Sequence, residues 1–175
     1  AGKVCGYASK GGKIVILGDI VDRAWTNSVN APRCQDLEIH LLGSASKYAG
    51  ESLMGGDFFF GGMYFDQHGN LRTQDRPYRG TKMMGCASRG RMLFFNPKDT
   101  LNEHQYTHGK VEAISDADWG YWKQTVESTL ETAGVALSRK DGKTTFVVDE
   151  AEHEIDSLTF NLVVPKGGQK GYESH

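Results

Sequence analysis

The sequence predicts a mainly β protein. A parallel β-helix, or solenoid, is expected over residues 1–97. An amphipathic helix and a short β-hairpin follow, within an α+β capping and docking extension over 98–175. Three observations lead there. Glycine accounts for 22 of 175 residues against 4 prolines, above the usual share of about 7%. Three glycine-led segments of the first hundred residues superpose. After Pro97 the apolar period changes from that of strands to that of a helix.

The three segments are residues 6–18, 50–62 and 85–96. Each opens on a glycine, skips four residues, meets a second glycine and then runs apolar. The first two begin 44 residues apart (positions 6 and 50), the last two 35 apart (50 and 85). In this superposition Gly12, Gly56 and Arg91 share one position. A short apolar run is a buried strand, and the glycines before it permit positive φ or close contact between stacked backbones. Repeated turn–strand units bury their apolar faces on one another. The spacings leave room for one further unit in each gap. Leu37, Ile39 and Leu41 alternate with Glu38 and His40, as a half-buried strand does, and Met63-Tyr64-Phe65 reads as another short strand. Within 58–65, consecutive aromatics point to both faces, so one aromatic face needs a stacked neighbour or a partner to cover it.

Residues 98–110 are polar and read as a linker. Ser115 then caps a helix over 116–133, with Asp118 as its acidic partner. Trp119, Trp122, Val126, Leu130 and Ala133 form its apolar face, and Gly134 stops it. Residues 135–137 and 144–148 flank Asp141-Gly142, a hairpin turn signal. A last apolar stretch, 158–164, ends at Pro165, and the glycine-rich tail 166–175 is expected to fray. The two tryptophans and the last strand either cap the repeats or anchor another subunit.

The glycine segments resemble the glycine-rich right-handed β-helix at the C-terminal end of the glutamate synthase large subunit. The coils of a formylmethanofuran dehydrogenase subunit and of stand-alone glutamate-synthase-like subunits are similar. The resemblance covers roughly 1–97. It departs at Arg91 and Asn96, which stand where glycines belong, and at the polar inserts 24–35 and 67–77. The stretch 160–165 is similar to the closing segment of the same proteins. The resemblance implies a right-handed parallel β-helix without catalytic residues. Such a β-helix is a non-catalytic structural and assembly subunit, or a C-terminal domain, that positions amidotransferase and flavin-dependent catalytic parts. On that reading the chain has no turnover of its own and works within an oxidoreductase or amidotransferase-type complex. It binds no cofactor itself; flavin or iron–sulfur groups belong to the larger catalytic subunits of a hetero-oligomer.

Composition narrows the classes. Twenty Lys and Arg against 22 Asp and Glu give a net charge of −2, which disfavours a nucleic-acid module. No run of about 18 apolar residues is present, so no membrane span is expected. The first twelve residues lack the apolar core of a signal peptide, and position 1 is Ala, as in a processed chain or a fragment. Cys5, Cys34 and Cys86 form no CxxC pair, which fits a reducing, cytoplasmic setting and thiols packed in the interior.

The candidate binding residues are Arg76, Arg79, Lys82, Arg89 and Arg91. With Arg72 they make a basic stretch opposed only by Asp75. Such a stretch suits an acidic partner or a phosphate group held by one; the bland reading is a solvated face. His104 and His108 stand four apart, but no apolar period makes that segment a helix and no His-Glu-x-x-His pattern is present. A solvated loop without metal is expected there. The nucleophile elbow, dinucleotide fingerprint and P-loop are also missing from the sequence. The alternatives are a small stand-alone hydrolase or transferase using the basic stretch with His104 or His108, and a binding module for acidic ligands.

Overall fold

The computed structural model describes residues 5–30 and 36–167. Cys34 and most of the tail therefore lie outside the described residues. The strands are β1 (Gly12–Ile16), β2 (Leu37–Leu41), β3 (Met54–Phe60), β4 (Met63–Phe65), β5 (Leu71–Thr73), β6 (Arg89–Phe95) and β7 (Gly109–Glu112). Helix α1 (Asp116–Thr132) follows, then β8 (Ser138–Lys140), β9 (Lys143–Val148), β10 (Ala151–Glu154) and β11 (Phe160–Pro165).

The expected right-handed β-helix is not the architecture found. The main sheet is mixed, six-stranded and ordered β1-β2-β3-β6-β11-β7. Only β1, β2, β3 and β6 run parallel. Next to β6 the direction reverses: β11 is antiparallel to β6, and β7 is antiparallel to β11. The sheet thus takes strands from both sides of position 97. Beside it stand an antiparallel three-stranded sheet, β10-β9-β8, and the hairpin β4-β5. The short hairpin expected near the C-terminus is therefore a three-stranded unit. Met63-Tyr64-Phe65 pairs with β5 rather than joining the parallel strands.

Within the parallel part the strands are in register. Lys13, Glu38, Asp57 and Arg91 form one column, and Ile14, Ile39, Phe58 and Met92 the next. The turns that accompany these strands stack as well. Trp25 N–H donates to Cys5 C=O, Gly50 N–H to Ala24 C=O and Met84 N–H to Ala49 C=O, at 2.8–2.9 Å. The residues of this row, Gly6, Trp25, Gly50 and Met84, all have φ between 55° and 68°. Left-handed backbone costs a non-glycine residue about 1 kcal/mol or more, and the row's hydrogen bonds and burial offset it. Gly6 has a second reason: a Cβ there would lie 2.4 Å from the Trp25 ring.

The register corrects the third glycine segment by one residue. Arg91 pairs with Asp57, not with Gly56. The residue that shares positive φ with Gly12 (92°) and Gly56 (107°) is Gly90 (106°). Likewise Met84, not Gly85, continues the row of Gly6 and Gly50.

The sheet has an apolar core on each face. Ile39, Leu41, Phe58, Phe60, Met92 and Phe94 point to one side, against Trp25, Leu53, Tyr78 and Met84. Phe59, Leu93 and Phe95 point to the other, against Trp122, Val126 and Leu130 of α1 and Phe146 and Val148 of β9. Each such side chain contributes about 1.5–3 kcal/mol by leaving water. The exposed aromatic face expected from 58–65 is confined to Tyr64 and Phe65; Phe58, Phe59 and Phe60 are fully buried.

Helix α1 begins where its cap requires. Ser115 is extended, and its hydroxyl accepts the Asp118 N–H at 3.1 Å. Asp141 and Gly142, with φ of 52° and 78°, close the β8–β9 hairpin between Lys140 and Lys143. Two positive φ values at the central residues are what a two-residue hairpin loop needs. Strand β7 lies partly in the segment read as a linker. It is a sheet edge whose Lys110, Val111 and Glu112 are exposed, so it carries little apolar signal.

Candidate functional site

The structure divides the five candidate residues among three places. Arg91 is half-buried and held by acids from two other elements. Its guanidinium makes two hydrogen bonds to the Asp57 carboxylate, at 2.8 and 2.7 Å, and one to Asp118 at 2.9 Å. It also lies over the rings of Tyr121 and Trp122. These carboxylates raise its pKa further. This is a clamp between β3, β6 and the first turn of α1, with the bidentate geometry that suits arginine.

Arg89 lies beside it on the rim of a groove of about 480 Å³, lined also by Asp36, Glu38, Asp57 and Tyr121 and by the backbone at Gly55, Gly56 and Gly90. Arg79 pairs with Asp19 at 2.9 Å. Together with Arg76 it lines an open cavity of about 690 Å³, with Tyr64, Thr73, Gln74 and Asp75. Lys82 sits apart from both, over the Tyr48 ring, which Arg23 also approaches. Arg72 is tied to Asp66 and Glu150. The basic stretch is thus not one surface: acids distant in sequence meet much of its charge.

His104 and His108 are exposed and lie in turns before β7. Neither lines either cavity. The described residues contain no group of three or more His, Cys, Asp or Glu placed to hold a metal ion. Cys86, expected in the interior, is exposed, and Cys5 is partly buried.

His40 is the ionisable group that the sequence pattern hid. Its alternation with Ile39 and Leu41 placed it on a solvated face, yet α1 covers that face and the ring is 1% exposed. The Thr129 hydroxyl donates to Thr125 C=O at 2.8 Å and lies 3.1 Å from His40 Nδ1. His40 Nε2 is 3.5 Å from the Glu38 carboxylate and makes no hydrogen bond. Burial, helped by Lys13 and opposed by Asp57, lowers the pKa to about 4.

The other distinctive surface is the outer edge of β1. Among the described residues no strand pairs with it. Four large apolar residues of the same layer are open to solvent: Tyr7 (58%), Ile14 (36%), Leu17 (47%) and Val21 (38%). Ile14 belongs to the column continued inward by the fully buried Ile39, Phe58 and Met92. The layer is a core cut open.

The glycines show the same thing. Extended by two residues, the β1–β2 register sets Gly18 beside Gly43. A Cβ on Gly43 would lie 2.7 Å from the Gly18 backbone, so Gly43 is required by the layer before it. A Cβ on Gly18 would meet nothing within 4 Å, and its φ is not positive.

Comparison with protein-family models, with characterised proteins and with solved structures gives no match. No helix among the described residues is long and apolar enough to cross a membrane.

Proposed function

We propose that this chain is a non-catalytic structural and assembly subunit, or C-terminal domain, of a glutamate-synthase-like multi-subunit enzyme. It positions amidotransferase and flavin-dependent catalytic parts. The observation that supports docking is the open first layer: apolar side chains and a bare glycine backbone at an unpaired strand edge. The assignment to glutamate-synthase-like enzymes rests on the glycine spacing. On this reading the chain binds no cofactor itself, flavin or iron–sulfur groups lie in the larger subunits, and the complex is a cytoplasmic hetero-oligomer. The test is the size of the native species in an undiluted extract of the source cells. The chain is expected to elute with larger amidotransferase and flavin subunits. Elution as a lone 19.3 kDa species, or turnover of a substrate by the purified chain unaided, overturns the proposal.

A second reading is supported by the cavity beside Arg76 and Arg79: a module that binds a small acidic ligand. Saturable calorimetric binding of a dicarboxylate, abolished by Arg76→Ala, favours it over docking.

A further inference from the structure

We infer that the outer edge of β1 takes a parallel strand from a partner polypeptide. The partner strand carries a carboxylate opposite Lys13 and apolar residues opposite Ile14 and Ile16. This rests on the docking reading above and names the surface and the chemistry of its occupant.

The backbone is set for it. Gly12 N–H donates to Asp36 C=O, and Ile16 C=O accepts from Leu42 N–H. In a parallel ladder the N–H and C=O of one residue point the same way, and successive residues alternate. Gly12, Ile14 and Ile16 therefore engage β2, and the backbone groups of Lys13, Val15 and Leu17 face outward. An unpaired row of this kind is a template for strand addition.

The columns specify the side chains. Opposite Ile14 and Ile16 the inner layers supply Ile39 and Leu41, then Phe58 and Phe60, then Met92 and Phe94. An added strand continues these columns with apolar residues and covers Ile14 and Leu17. The column of Lys13 continues with Glu38, Asp57 and Arg91, and Lys13 stands 4.0 Å from Glu38. Each inner strand thus finds an opposite charge on one neighbour, and Lys13, which meets Glu38 and Ser128 (3.4 Å) on its inner side, keeps an exposed ammonium that a carboxylate on the added strand meets. At Gly18 the bare backbone admits another chain as closely as it admits Gly43.

Charge also selects a different chain over a second copy. The acids of this layer turn inward: Asp19 accepts the Ser44 N–H and Asp22 the Lys47 N–H. Lys10 and Lys13 are exposed. A second copy joined through β1 brings the same cations to the same edge, and its other edge, β7, already pairs Glu112 with Lys110 at 2.7 Å.

The probe is a peptide with the sequence of residues 36–43, which presents Glu38, Ile39, Leu41 and Gly43 in the order these columns require. It is titrated into the full ¹⁵N-labelled chain. Saturable shifts are expected at the amides of Lys13, Val15 and Leu17. A peptide with lysine in place of the glutamate is expected to bind at least tenfold more weakly. Val15→Pro removes an outward N–H and changes a half-buried side chain, and proline is tolerated on an edge strand; it should keep the circular dichroism spectrum and lose the peptide. Leu17→Lys is the second variant, expected to do the same without altering the backbone.

The proposal is overturned by shifts that fail to saturate up to about 1 mM or that map elsewhere, and by equal binding of the lysine peptide. It is also overturned by a dimer in sedimentation that Val15→Pro abolishes, which makes a second copy the occupant. A native complex that persists while the peptide fails to bind refutes the edge and leaves docking standing. Peptide binding by a chain that is alone in the cell supports the edge chemistry and refutes the assembly role.

Discussion

Acidification should destabilise this protein through His40, and the size of the effect can be worked out. Folded His40 takes up a proton only near pH 4, whereas the free side chain does so near 6.5. As pH falls below 6.5 the unfolded chain binds the proton first, so stability drops; the drop levels off below about 4. Each pKa unit corresponds to about 1.4 kcal/mol, so the full loss is about 3 kcal/mol, with most of it reached by about pH 4.5. The group faces Glu38, Lys13 and Asp57 and hydrogen-bonds to Thr129, and all four remain in His40→Gln. Asp66, Asp118 and Asp149, whose pKa values are lowered in the folded state, also lose stabilisation on acidification, equally in both proteins. Urea unfolding of wild type and His40→Gln at pH 7 and at pH 4.5, at constant ionic strength, isolates the histidine. The wild type should lose about 2–3 kcal/mol more than the variant between the two conditions. Equal losses would refute the account of a neutral imidazole trapped under α1.

Other outcomes follow from the same contacts. Gly43→Ala drives a Cβ to 2.3 Å from Asp19 Oδ1 and 2.7 Å from the Gly18 backbone, and should cost about 2–3 kcal/mol in chemical denaturation. Gly18→Ala, with open space around it, should stay within about 0.5 kcal/mol of wild type; equal costs contradict the stacked-layer geometry. Arg91→Ala removes the hydrogen bonds to the partly exposed Asp57 and Asp118 and should cost about 1–2 kcal/mol. Arg76→Ala, on an exposed cavity rim, should change the melting temperature little, and the reverse ranking shows that Arg91 is not a clamp.

The local signals in the sequence carried over well. Ser115, the spacing of Trp122, Val126 and Leu130, and Asp141-Gly142 each act through neighbours a few residues away, so cap, helix and turn could be read directly. Long-range pairing could not. Nothing near residues 160–165 announces an antiparallel partner at 89–95, and that pairing is what turns a parallel set of strands into a mixed sheet. The one-residue slip at Gly90 has a related cause: a glycine needed for positive φ and a glycine needed for close approach look identical in sequence. The partners of the basic stretch from Arg72 to Arg91 were hidden for the same reason. Asp19, Asp57, Asp118 and Glu150 meet its charges from far along the chain. His40 and Phe59 were buried on the face covered by α1 and β9, a face that alternation alone assigns to water.

The measurement that bears most directly on the docking role is recovery of partner subunits on tagged wild-type chain and on a Leu17→Glu, Val21→Glu double variant expressed in the source cells. Both side chains are exposed, so the variant should fold with a stability close to wild type. Two carboxylates placed on the apolar layer should prevent a partner from burying it. The account predicts stoichiometric larger subunits with the wild type and at least a tenfold loss with the variant. Equal recovery on both, or a wild-type chain that comes out alone, contradicts it.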